Sequence, residues 1–249
     1  MSAPEPLRIA MWSGPRNIST AMMRAFENRP DTAVVDEPFY AAYLAASAEE
    51  HPMRAEVLAS QSTDWQEVAA SLIGPAPGGA AVFYQKHMTH HMLPGVGLDW
   101  MARCRNVFLI RHPREVVASY RERRAAVSLA DIGAVRQAEL FDREAGRLGS
   151  APPVIDAADV LADPRAVLSA LCAELGIGFT ERMLAWPEGS RATDGVWAPA
   201  WYDQVIRSTG FSPPSAKGEP ELSHEQQKVA EAAQPYYERL ARWRIRPAA

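Results

Sequence analysis

Cysteine is scarce: only Cys104 and Cys172 occur in 249 residues. They have no short metal-ligand spacing, which argues against a thiolate zinc site and against a disulfide framework. Cys172 falls in the apolar stripe of a predicted helix, where a thiol acts as a small buried hydrophobe. Lysine is almost missing too, with Lys86, Lys217 and Lys228 set against 23 arginines. No apolar run approaches the ~18 residues needed to span a bilayer. Met1–Pro6 carries neither a basic nor an apolar leader stretch, so no secretion signal and a cytoplasmic location are expected. An excess of positive charge is also lacking. With 30 acidic and 26 basic side chains, the formal charge is −4, which disfavours a general nucleic-acid surface.

What is present is ordinary globular composition, 47% hydrophobic and 22% charged. The length suits one α/β domain over 1–249, since no repeat or linker interrupts it. Leu7–Ser13 reads as a buried strand, Ser13-Gly14-Pro15 as a turn, and Ser19–Phe26 as a helix. Further strands are expected at Thr32–Val35, Ala80–Lys86, Asn106–Ile110 and Val154-Ile155. Thr63 with Gln66 suggests a capping box for a helix ending before Gly74. Pro113 suits the first position of a helix running to about Arg124. Asp163-Pro164 opens a helix that Gly176 ends. A last helix from Ser223 is expected to be interrupted or kinked near Pro235. Alternating strands and helices argue for a parallel sheet, in which ligands bind beyond the carboxyl ends of the strands. Gly14–Thr20, Glu37, Lys86 and Arg111 all fall there.

Two stretches look built for anions. Gly14-Pro15-Arg16-Asn17-Ile18-Ser19-Thr20 joins a strand to a helix, so backbone N–H groups, the positive helix end, one guanidinium and two hydroxyls can face a phosphate. It departs from the Walker A pattern, because Ser19 stands at the second glycine and Thr20 at the lysine. The second stretch contains seven arginines from Arg103 to Arg124. Within it, Arg111 leaves a strand and Ser119 lies about two turns into the next helix, so a guanidinium fork and a hydroxyl can meet on one anion. A plain capped turn and a solvated arginine face remain the simpler readings of each stretch alone.

Together the two resemble the sulfotransferase family that uses 3′-phosphoadenosine 5′-phosphosulfate (PAPS). Pro15-Arg16-Asn17-Ile18-Ser19-Thr20 resembles its 5′-phosphosulfate loop. Arg111-His112-Pro113-Arg114-Glu115, with Ser119 eight positions after Arg111, resembles its 3′-phosphate motif. Val154-Ile155-Asp156 through Asp163-Pro164 is similar to a third segment, so the likeness runs over about residues 7–180. The resemblance implies a P-loop-like sulfotransferase architecture, a parallel β-sheet flanked by helices in three α/β/α layers. It also implies PAPS as donor, PAP (adenosine 3′,5′-bisphosphate) as product, and no metal requirement. The expected partner is a small-molecule acceptor, neither nucleic acid nor membrane, with a homodimer as the candidate assembly.

The same resemblance distributes roles. Arg16 would stabilise the leaving phosphate. Glu37, shortly after the first motif, would serve as base, as in several branches of the family. Others use a histidine in a Lys-x-His stretch, but here Lys86-His87-Met88 shifts it by one, which in a strand turns His87 to the other face. Glu37 is therefore preferred to His87, and Lys86 would assist the phosphosulfate. His90 and His91 could line the acceptor site or pair structurally. Of the family's Arg-Lys-Gly loop only Lys217-Gly218 remains, with Arg207-Ser208-Thr209-Gly210 as a substitute. The aromatic, proline-rich stretch around 186–222 is read as acceptor lid or core. An ATP-dependent small-molecule kinase and a non-catalytic nucleotide-binding module stay open as alternatives.

Overall fold

The computed structural model describes residues 5–120, 127–213 and 220–246. Five strands form its sheet: β1 (Leu7–Ser13), β2 (Thr32–Asp36), β3 (Val82–Met88), β4 (Arg105–Ile110) and β5 (Val154–Asp156). All pairings are parallel, in the order β2-β3-β1-β4-β5. The central strands are buried along almost their whole length, as a sheet covered on both faces requires.

Helices α1 (Ser19–Glu27), α2 (Tyr40–Ala46), α3 (Arg54–Ser60) and α4 (Trp65–Ile73) occupy the first third of the chain. α5 (Pro113–Tyr120), α6 (Ala134–Leu148), α7 (Ala157–Ala162) and α8 (Pro164–Leu175) follow β4 and β5. Two short helices, α9 (Ala198–Trp201) and α10 (Asp203–Ile206), precede the long α11 (His224–Ala241). One core lies between the sheet and α1 with α8, joining Met22, Phe26, Tyr84, Leu168 and Leu171. A second lies on the opposite face, where Trp12, Phe83, Leu72, Phe108 and Phe141 meet. The result is the expected three-layer α/β/α arrangement.

Local chemistry explains most boundaries. Asp163 accepts the Ala166 N–H at 2.9 Å, Pro164 opens α8, and Gly176 closes it at φ 74°. The cap of α4 departs from expectation. Asp64, not Thr63, accepts the Gln66 N–H at 2.8 Å, because a carboxylate one residue closer to the helix outcompetes the hydroxyl. α11 starts with a full capping box between Ser223 and Gln226 and runs through Pro235 without interruption. Its buried Ala230, Ala233 and Leu240, and its packing on α5 and α6, offset the missing N–H. α5 is described as far as Tyr120, so its expected extension to Arg124 lies outside the described residues.

Candidate active site

The carboxyl ends of β1, β2, β3 and β4 open onto one cleft of about 690 Å³, a volume typical of small-molecule sites. Its walls include Pro15–Ala21, Glu37, Lys86, Arg111, Ser119, Trp201 and Tyr202. Gly14 does not line it. That glycine sits behind the loop, where a Cβ would come within 2.4 Å of the Ile132 carbonyl oxygen.

At one end of the cleft the two arginine motifs meet. The Asn17 amide donates to Leu109 O (3.0 Å) and its Oδ1 accepts the Ile18 N–H (3.0 Å), pinning the loop to the end of β4. No side chain caps α1, so its first turn keeps N–H groups facing the cleft end. Arg16 Nε donates to Ser119 Oγ at 3.0 Å, and Arg111 Nη1 donates to Arg16 O at 2.7 Å. Arg111 Nε is paired with Glu115 at 2.9 Å. The structure thus brings Arg16, Ser19, Thr20, Arg111 and Ser119 together across some hundred positions of sequence.

At the other end lies a cluster that the sequence reading found only in part. Glu37 is buried rather than an exposed turn residue, and Lys86 is buried rather than solvent-facing. β2 and β3 register Asp36 opposite Lys86. Lys86 Nζ donates to Glu37 Oε1 (2.5 Å), Tyr202 OH (2.6 Å) and Asp36 Oδ1 (2.8 Å). An ammonium has three protons, and these acceptors match all of them. Lys86 therefore serves the carboxylates here. Burial pushes the Lys86 pKa down, but Asp36 and Glu37 outweigh it and hold the ammonium well above its usual value. For Glu37, burial is the largest influence and raises its pKa; Asp36 adds to the rise, and Lys86 opposes it.

Backbone strain marks the same two ends. Among the described residues, only Arg16 (φ 56°), Glu37 (φ 38°) and Met53 are non-glycine residues in the left-handed region. Such a conformation costs about 1–2 kcal/mol and persists where the surroundings impose it, often at functional sites. For Glu37 the imposition is visible: its N–H donates to Lys86 O at 3.0 Å, and its carbonyl accepts from Tyr40 N (3.0 Å) and Gln61 Nε2 (3.2 Å).

Tyr40, His51, His90 and His91 complete this end. Tyr40 OH is 2.7 Å from His51 Nδ1, and the His91 ring stacks on Tyr40 and Tyr43. His90 and His91 thus both line the cleft and pack together. His91 Nε2 stands 3.9 Å from Glu37 Oε2. In the late aromatic stretch, Trp186 and Trp197 are core, Trp201 and Phe211 line the cleft, and Tyr202 is buried yet also reaches its wall. Ser208 and Gly210 also reach it. Lys217 and Gly218 lie outside the described residues.

His87 is not brought to the cleft. It projects from the opposite face of β3, stacked on Trp12 with ring centroids 4.5 Å apart, and Nε2 contacts Gln85 Oε1 at 3.2 Å. Burial lowers its pKa from 6.5 to about 3. The unfolded chain therefore binds a proton below about pH 6.5 that the folded chain refuses until about pH 3. Stability is full above that window and falls within it by about 1.4 kcal/mol per pH unit as the pH drops. Thermal melts of His87→Gln should accordingly decline less between about pH 7 and pH 4.5 than those of the parent. Equal declines would remove His87 from the acid response.

Asp36, Tyr202, His51 and Tyr40 were not singled out from sequence as site residues. The Asp36-Glu37 pair at a strand end was a signal for the first. Nothing local marks Tyr202.

A five-stranded parallel sheet in this order, flanked by helices and with a strand–loop–helix turn at residues 14–20, is a P-loop-like α/β fold. The sulfotransferase domain family matches residues 7–243, and the chain belongs to that family. Three solved structures share the fold. The sulfotransferase from Alicyclobacillus acidocaldarius is 15% identical, with TM-score 0.56 over 97% of this chain and 96% of that one. Mouse sulfotransferase SULT7A1 complexed with PAP is 11% identical, with TM-score 0.52 over 96% and 86%. The sulfotransferase domain of the Synechococcus PCC 7002 olefin synthase is 18% identical, with TM-score 0.50 over 93% and 97%. Among curated proteins, branched-chain-amino-acid aminotransferase-like protein 1 of Arabidopsis thaliana is 38% identical over 210 residues, 84% of this chain and 37% of that protein. Protein 2 is 34% identical over 206 residues, covering 83% and 36%. The chain thus spans little more than a third of these curated relatives. Among the described residues no helix is long and apolar enough to cross a membrane, and no group of three or more His, Cys, Asp or Glu could hold a metal ion.

Proposed function

We propose that the chain transfers the sulfuryl group of PAPS to a hydroxyl or amine of a small-molecule acceptor and releases PAP. The bond from sulfur to the 5′-phosphate oxygen breaks, a bond from sulfur to the acceptor atom forms, and the acceptor proton passes to Glu37. Arg16, the α1 N-terminus, Ser19 and Thr20 meet the charge that grows on the departing phosphate. A fixed donor at such a position is worth about 3 kcal/mol in the transition state. Arg111 and Ser119 hold the 3′-phosphate. Trp201 and the His91–Tyr40 wall face the acceptor.

One observation carries this reading: Arg16 bonds Ser119 and Arg111 bonds Arg16 at one end of the cleft whose other end holds Glu37 on Lys86. Two anion-binding groups placed side by side suit a nucleotide bearing phosphates at both 3′ and 5′. A fold neighbour, the mouse enzyme, was solved with PAP.

The test is thermal. A ligand at a hundredfold its Kd stabilises by about 2.7 kcal/mol, which raises Tm by roughly 5–10 °C for a chain of this size. PAP is expected to do so, and ATP, lacking a 3′-phosphate, to do much less. Equal shifts with ATP and PAP would return the kinase reading to the front.

A further inference from the structure

Tyr202 lies between α9 and α10, in a stretch that carries no chemical motif, yet its hydroxyl is inside the carboxylate cluster. It accepts from Lys86 Nζ (2.6 Å) and Trp197 Nε1 (3.0 Å) and donates to Asp36 Oδ2 (2.7 Å). All three partners are buried. The same stretch is fastened twice more. Gly195 N donates to Asp36 Oδ2 at 3.1 Å, and Asp194 pairs with the fully buried Arg24 at 2.7 Å. The next residue toward the N-terminus, Trp201, lines the cleft.

We propose that Tyr202 is a positioning residue for the base. By holding Asp36 and Lys86, its hydroxyl keeps Glu37 with Oε1 on the ammonium and Oε2 on the His91 side. The segment that supplies the Trp201 wall thereby also orients the group that takes the acceptor proton. This role rests on Glu37 being the base.

The electrostatics agree in sign. Glu37 faces Asp36 from β2, Lys86 from β3, His91 from the turn after β3, Tyr40 from α2 and Tyr202 itself. Burial and Asp36 favour its protonated form, while Lys86 favours the carboxylate; the Tyr202 proton, given to Asp36 Oδ2, draws that carboxylate's charge away from Glu37 and so also favours its ionised form. Loss of that hydroxyl therefore raises the proton affinity of Glu37. A merely structural loosening would do the reverse, because hydration of a buried carboxyl brings its pKa down toward the usual range.

The experiment is an infrared pH titration of Glu37, its band assigned by difference against Glu37→Gln. Tyr202→Phe is expected to move the Glu37 midpoint up by about one pH unit. No change, or a fall, overturns the role. Should Tyr202→Phe fail to fold, the hydroxyl is followed in the parent protein by carbon NMR of the labelled Tyr202 Cζ. That resonance is expected to shift at the Glu37 midpoint and to lose the shift in Glu37→Gln; a resonance indifferent to Glu37 overturns the role as well. An active Glu37→Gln would overturn the base assignment itself and take this role with it, an outcome separate from either titration result.

Discussion

Glu37→Gln is expected to cut sulfuryl transfer by about 10²- to 10⁴-fold, the usual worth of a positioned general base, while PAP still binds. The substitution keeps shape and one acceptor. A glutamine oxygen can replace Oε1 in accepting from Lys86, which also retains Asp36 and Tyr202. No buried charge is orphaned, so the fold should survive. What disappears is the capacity to take a proton. The loss should shrink as the acceptor hydroxyl becomes more acidic, since a nitrophenol needs little help and an aliphatic alcohol needs much. The parent's pH profile carries the same signature. Burial raises the Glu37 pKa, so transfer should climb with pH through a midpoint above the ordinary carboxylate range, as the base loses its proton. Release of PAP measured over an acceptor series checks both. Wild-type rates for Glu37→Gln on an aliphatic alcohol would remove the base from this position.

The scaffold that presents Glu37 was legible because its signals are local. β1 matches the expected Leu7–Ser13 run, and α8 follows from Asp163-Pro164 and Gly176. Alternation alone put His87 on the opposite face from Lys86, as the separate cores around Tyr84 and Phe83 bear out. The cluster around Glu37 was legible only in part, because parallel register is not written in either strand. Asp36 meets Lys86 only when β2 and β3 align, and Tyr202 arrives from 116 positions downstream. The cap of α4 and the unbroken run of α11 through Pro235 are not legible in the sequence for a related reason. Each turns on competition between neighbours, a closer carboxylate in one case and tertiary packing over proline in the other. α6, beginning at a left-handed Gly133, gave no cap residue to announce it.

Arg111→Ala should weaken PAP by about 10- to 100-fold, the range for losing a charge-assisted, forked contact to a phosphate. Two effects must be separated, since Arg111 Nη1 also holds the carbonyl of Arg16 at 2.7 Å. If the guanidinium reads the 3′-phosphate, its removal should hurt PAP far more than adenosine 5′-monophosphate, and the ratio of the two affinities should collapse toward one. If it only braces the loop, both nucleotides should weaken together and the ratio should stand. Arg111→Lys divides the cases further. It keeps the charge but not the fork, so a partial return of the ratio is expected. Ser119→Ala should lower the ratio less, because a neutral hydroxyl contributes less than an ion to a phosphate contact. Glu115 accepts from Arg111 Nε at 2.9 Å and Arg16 O accepts from Nη1 at 2.7 Å, so the guanidinium is held in place from two sides. Calorimetric titration of the two nucleotides into the three variants decides the matter. A ratio unchanged in Arg111→Ala would leave the second anion-binding group without its phosphate.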